Sequence, residues 1–188
     1  MLLAAWAAVA LASSTEAATV EDLSVTHPDP AYRVVAHLRL QATRDAAFAA
    51  ATEFERIAAR SPMIESSRRL SDHELASRMR LCVMWYCKTV RQVMRYRRRP
   101  PGRLDMQVVP GQGDLKAGAA HWEFAAAGPE HTTVVFEARM VPDFWVPPMI
   151  GSWALSQALH KQIEATAKAI EDIAAESRVA PRNTSDMP

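Results

Sequence analysis

PDFWVPPMIGSWALSQALHKQIEATAKAIEDIAA, residues 142–175, is a proline- and aromatic-rich loop running into one long amphipathic helix. Leu155, Leu159, Ile163, Ala167, Ile170 and Ala174 recur every three or four residues and share one face. Gln157, Lys161, Glu164, Lys168 and Glu171 take the opposite face, with Glu164 four residues before Lys168 as helical ion pairs prefer. Pro147 and Pro148 suit a helix start, where a missing N–H costs nothing. So long an apolar stripe needs a broad partner, and the residues before it read mostly as strands.

Working backwards, Thr132–Val141 alternates, with Val134, Phe136, Ala138 and Met140 on one face. Gly118–Ala125 puts Ala120, Trp122 and Phe124 on one face, and Arg103–Val109 makes another strand before a loop over residues 110–114. Leu75–Val83 and Cys87–Arg97 are strands on either side of a short hairpin loop, and Met63–Leu70 precedes them through the turn Ser71–Glu74. Tyr32–Gln41 is a first, half-buried strand. Two short helices follow it: one opens behind Thr43 as N-cap, and the next runs from Glu53 until Ser61–Pro62 stops it. The expected fold class is α+β: a curved antiparallel sheet of about seven strands wrapped around the long C-terminal helix, with the two short helices after the first strand.

Three segments carry a further likeness: Glu53-Phe54-Glu55-Arg56 before Ser61-Pro62, Gly113–Gly118 leading to Trp122-Glu123-Phe124, and Pro142–Pro148 ahead of the closing helix. In this order and spacing, over residues 30–175, the chain resembles the helix-grip superfamily. That group comprises the START-like, polyketide cyclase/dehydrase and lipid-transport proteins, with the coenzyme Q-binding branch. The resemblance implies a cavity between sheet and helix that holds a small hydrophobic molecule, lipid-like, quinone or polyketide-like.

The chain has 188 residues, enough for one domain burying about 70% of its unfolded surface. Net charge is +1, which excludes a globally basic nucleic-acid binder. Residues 1–17 carry an apolar run of signal-peptide length without a preceding Lys or Arg, followed by small residues. They read as an export signal to the periplasm or exterior, or as an apolar helix of a cytoplasmic protein. Residues 18–30 read as a linker, 31–176 as the domain and 177–188 as a disordered tail.

Strand parity points Trp122, Phe124, Val134 and Phe136 towards Leu155, Leu159 and Ile163 of the helix, and these seven are the expected cavity lining. Lys88 and Gln92 share the inner face with Val90 and Met94, where they would anchor a ligand's carboxylate or carbonyl; a bulge would turn them outward. Trp85, Tyr86, Leu115, Phe144 and Trp145 fall in loops at one end, as a pocket mouth or as a plug of packed aromatics. Cys82 and Cys87, opposite one another across the hairpin, are a disulfide pair or two free thiols. Arg78, Arg80, Arg91, Arg95 and Arg97 share the outer face, as a solvated surface or a contact for an anionic membrane.

The six histidines are scattered, no metal-ligand spacing occurs, and no serine sits in a nucleophile elbow. No catalytic residue, metal or cofactor is therefore expected, and the oligomeric state stays open. The leading function is carriage or sensing of an apolar molecule. A cyclase, dehydratase or hydrolase with Lys88 as acid–base group is the alternative, and a protein-interaction module using the arginine face is a third.

Overall fold

The strand Tyr32–Leu40 shows how this sheet is built: Tyr32, Val34, Ala36, Leu38 and Leu40 are buried while Arg33, His37 and Arg39 face solvent. Period-two alternation admits one dry face, and that face belongs to the core. In the computed structural model, which describes residues 18–83, 85–147 and 152–179, this strand is the second of eight. The chain runs β1 (Thr19–Thr26), β2 (Tyr32–Leu40), α1 (Arg44–Ala51), α2 (Phe54–Ala58) and β3 (Ile64–Ser71). It continues through β4 (Glu74–Val83), β5 (Tyr86–Arg99), β6 (Arg103–Gly113), β7 (Leu115–Ala126) and β8 (Thr132–Pro142) to α3 (Ser152–Val179).

All eight strands form one antiparallel sheet in the order β1-β2-β8-β7-β6-β5-β4-β3. α3 lies across it, and Ile163, Ala167, Ile170, Ile173 and Ala174 are buried on the stripe that the periodicity sets. Full burial of one such isoleucine contributes about 1.5–3 kcal/mol. α1 begins behind Thr43, whose hydroxyl accepts from the Ala46 N–H at 3.4 Å. Its small Ala47, Ala50 and Ala51 are buried in the same core as α3. The expected α+β helix-grip arrangement is the one observed.

Three expectations need correcting. Residues 18–30 are not a linker, because Thr19–Thr26 is an edge strand paired with β2. α3 packs against it, and the Glu171 carboxylate accepts from the Ala18 N–H at 3.0 Å and from the Gln41 N–H. The loop expected over residues 110–114 is largely strand: β6 continues to Gly113, with Gly111 at φ +76° taking a conformation that side chains resist. α3 runs on to Val179, so the expected tail loses its first three residues to the helix. The segment read as an export signal, Pro148 and Ile150 of the loop, and residues 180–188 lie outside the described residues.

Candidate functional site

Between α3 and the inner face of the sheet, mostly over β3–β8, is a cavity of about 240 Å³. Leu159, Ile163 and Ile170 of α3 form one wall, and Phe54 and Ile57 of α2 close one side. Met79, Met94, Met106, Trp122, Phe136 and Met140 form the opposite wall. Methionine suits such a site because its unbranched, polarisable side chain adapts to irregular contents. Trp122 lies against Phe136 with ring centroids 4.4 Å apart and the rings tilted by 41°, so the centre of the wall is an angled pair of aromatic faces. Gly118 forms part of the floor, where a Cβ would meet Val108 Cγ2 at 2.9 Å.

The wall is apolar except at two places. Ser67, Ser77 and Gln92 are cross-strand neighbours on β3, β4 and β5, and all three line the cavity. On α3, Gln162 and Thr166 face inward: Ser61 Oγ donates to Gln162 Oε1 at 3.0 Å, and Gln162 Nε2 donates to Thr166 Oγ1 at 3.0 Å. Arg139 is the one charged lining residue among those described, and its side chain is exposed in the outward row of β8.

Of the expected lining residues, the structure places Gln92, Trp122, Phe136, Leu159 and Ile163 on the cavity. Four expected residues lie elsewhere. Phe124 and Val134 point inward but at the level of α1, where Phe48 sets its ring edge-on to Phe124 at 5.8 Å and fills the space. Leu155 packs with Tyr32 and Val83 in a separate small cluster. Lys88 points inward, yet its ammonium sits 4.9 Å from the centre of the Phe144 ring and not in the cavity.

Among the described residues, two apolar clusters pack at the loop end. The cluster of Tyr32, Val83 and Leu155 lies there, beside a second of Met94, Val108 and Leu115 with Phe144 against it. Leu115, expected at the mouth, is buried and reaches the cavity from this second cluster. Outside these clusters, Trp85, Trp145 and Trp153 are 70–75% exposed. The loops are tied to one another: Tyr86 Oη donates to the Trp145 carbonyl at 3.2 Å, and the Asp143 N–H donates to the Asp114 carbonyl at 2.9 Å. Cys82 and Cys87, paired in register, are joined by a disulfide across the same hairpin.

On the outer face the five arginines are exposed, but three have carboxylate partners: Arg78 with Glu65, Arg91 with Asp114 and Arg95 with Glu74. Hydrogen bonds from the Arg91 side chain and N–H hold the Asp114 carboxyl below the usual carboxylate range. No group of side chains among the described residues could hold a metal ion.

Residues 40–167 match the family described as polyketide cyclase/dehydrase and lipid transport. Among solved structures, a START superfamily protein from Mycobacterium smegmatis is 14% identical with TM-score 0.59, covering 77% of this chain and 98% of that one. A STAR-related lipid transfer protein from Xanthomonas axonopodis is 15% identical with TM-score 0.55, covering 85% and 99%. The Zhui aromatase/cyclase of a Streptomyces species is 12% identical with TM-score 0.51, covering 84% and 99%. At these identities the likeness is one of fold. No curated protein sequence matches the chain.

Proposed function

The chain belongs to the polyketide cyclase/dehydrase and lipid transport family, and from that premise we propose that it binds a small apolar molecule in the cavity under α3, as a carrier or sensor. The observation that carries this is the open space itself: about 240 Å³ of mostly apolar volume beside the buried core. An apolar cavity of about 150 Å³ already admits a benzene ring, so this one suits a compact, one- or two-ring molecule. Burying about 300 Å² of ligand surface contributes roughly 7 kcal/mol, which association costs reduce. Useful affinity therefore needs only contact.

A cyclase needs a group that moves protons, placed within hydrogen-bond reach of the substrate. Lys88, the acid–base candidate, is engaged with Phe144 outside the cavity. The described lining instead offers hydroxyls and carboxamides, which hold and orient a molecule. Native mass spectrometry of the purified protein should show a bound mass of a few hundred daltons (on the order of one small ligand). Leu159→Trp should fill the cavity and abolish binding while leaving the circular dichroism spectrum unchanged. If that variant unfolds and no apolar probe binds the wild type, the space is solid core and the carrier proposal fails.

A further inference from the structure

The row Ser67–Ser77–Gln92 crosses three strands in register and faces an otherwise apolar wall. Gln92 Nε2 donates to Ser77 Oγ at 3.1 Å and lies 3.7 Å from Met79 Sδ. That leaves the Ser77 hydroxyl hydrogen and Gln92 Oε1 without a partner among the described residues, side by side at the cavity surface. Either orientation of the carboxamide leaves the pair a free donor. The second polar place differs: Gln162 and Thr166 are bonded to each other and to Ser61, and Thr166 Oγ1 also donates to the Gln162 carbonyl at 2.9 Å. One polar set closes on itself, whereas the other is left open towards the space.

We propose that Ser77 and Gln92, with Ser67 beside them, recognise an uncharged carbonyl or hydroxyl group on the ligand, so that the site selects neutral oxygenated ring compounds over both plain hydrocarbons and carboxylates. This rests on the cavity being a ligand site. The Ser77 hydroxyl donates to a ligand oxygen, and Gln92 Oε1 accepts from a ligand hydroxyl. A carboxylate would enter without a cation, since the Arg139 side chain lies on the outer face and Lys88 outside the cavity, and an unpaired buried charge is strongly disfavoured. One hydrogen bond made inside an apolar site shifts affinity about three- to tenfold.

Isothermal titration of the wild type and of Ser77→Ala/Gln92→Leu with 2-naphthol, naphthalene and 2-naphthoate separates the possibilities. The expected result is 2-naphthol binding about three- to tenfold tighter than naphthalene, with 2-naphthoate weaker than either. In the double variant the naphthol advantage should vanish while naphthalene binding stays. Ser77→Ala alone carries the same test should the double variant not fold. Equal binding of naphthol and naphthalene to the wild type, or a preference that survives the substitutions, overturns the recognition role and leaves the cavity standing. Failure of all three compounds to bind the wild type overturns the cavity proposal, and this one with it.

Discussion

The two halves of α3 obey one periodicity and end up in different surroundings. In the C-terminal half Ala167, Ile173 and Ala174 are at most 1% exposed, in one buried core with residues of β2 and α1, and Ile170 marks the inner end of the cavity. In the N-terminal half Leu159 is only half-buried, because its side faces the open space and the methionines opposite. What differs is the third layer. Over the C-terminal half α1 inserts Phe48 and fills the gap to Phe124, whereas over the N-terminal half α2 reaches only as far as Phe54 and Ile57. A helical stripe thus specifies that something apolar lies opposite, and the neighbouring elements decide whether that is side chain or space.

The largest effect should come from setting one half against the other. Ile173→Ala should cost about 2–5 kcal/mol in urea denaturation, as for a buried large-to-small change. Leu159→Ala should cost less than about 2 kcal/mol, because part of that side chain already lacks contacts to lose. Equal costs would break the comparison. Next comes the hairpin end. In the chain-entropy picture, removing the Cys82–Cys87 link by Cys82→Ser/Cys87→Ser should cost about 2 kcal/mol. Amide exchange should rise around residues 80–90 and stay unchanged in the C-terminal half of α3; a uniform rise would mean the two regions open together.

The smallest effect concerns pH. Asp114 has its folded pKa lowered by Arg91, so its stabilisation is complete above the unfolded value of about 3.9 and fades as pH falls through the folded one. Asp114→Asn should flatten that part of the acid denaturation curve while leaving Ile173 and its neighbours untouched. An unchanged curve would remove the Asp114 contribution.

Most of the fold was legible because alternation and the three-to-four stripe report directly which face is dry. β1 was not: TVEDLSVT is half-exposed and carries Glu21 and Asp22, and an edge strand with so few buried positions has little apolar content to show. For the site, parity named the right face but not the height along the strand. Lys88 and Gln92 share a face, yet four residues separate the loop end from the cavity, and Phe124 and Val134 sit at the level that α1 fills. The serines of the polar row were within reach. Placing Cys82 opposite Cys87 sets a register that brings Ser77 opposite Gln92, the pairing observed. Ser67 needed the register shift between Arg69 and Ser71 beside the turn, which no local pattern announces.

The sheet does not close on itself, and its two outer strands leave backbone groups that another copy could pair with. Each is shaped against that. β1 is bulged between Val20 and Asp22 and presents Glu21 and Asp22, while β3 is bulged at both ends and presents Glu65, Arg68 and Arg69. A bulge throws a neighbouring ladder out of step, and exposed charges must be desolvated before a second sheet can add on. The rims of the sheet thus oppose edge-to-edge pairing, while the apolar space lies away from them under α3.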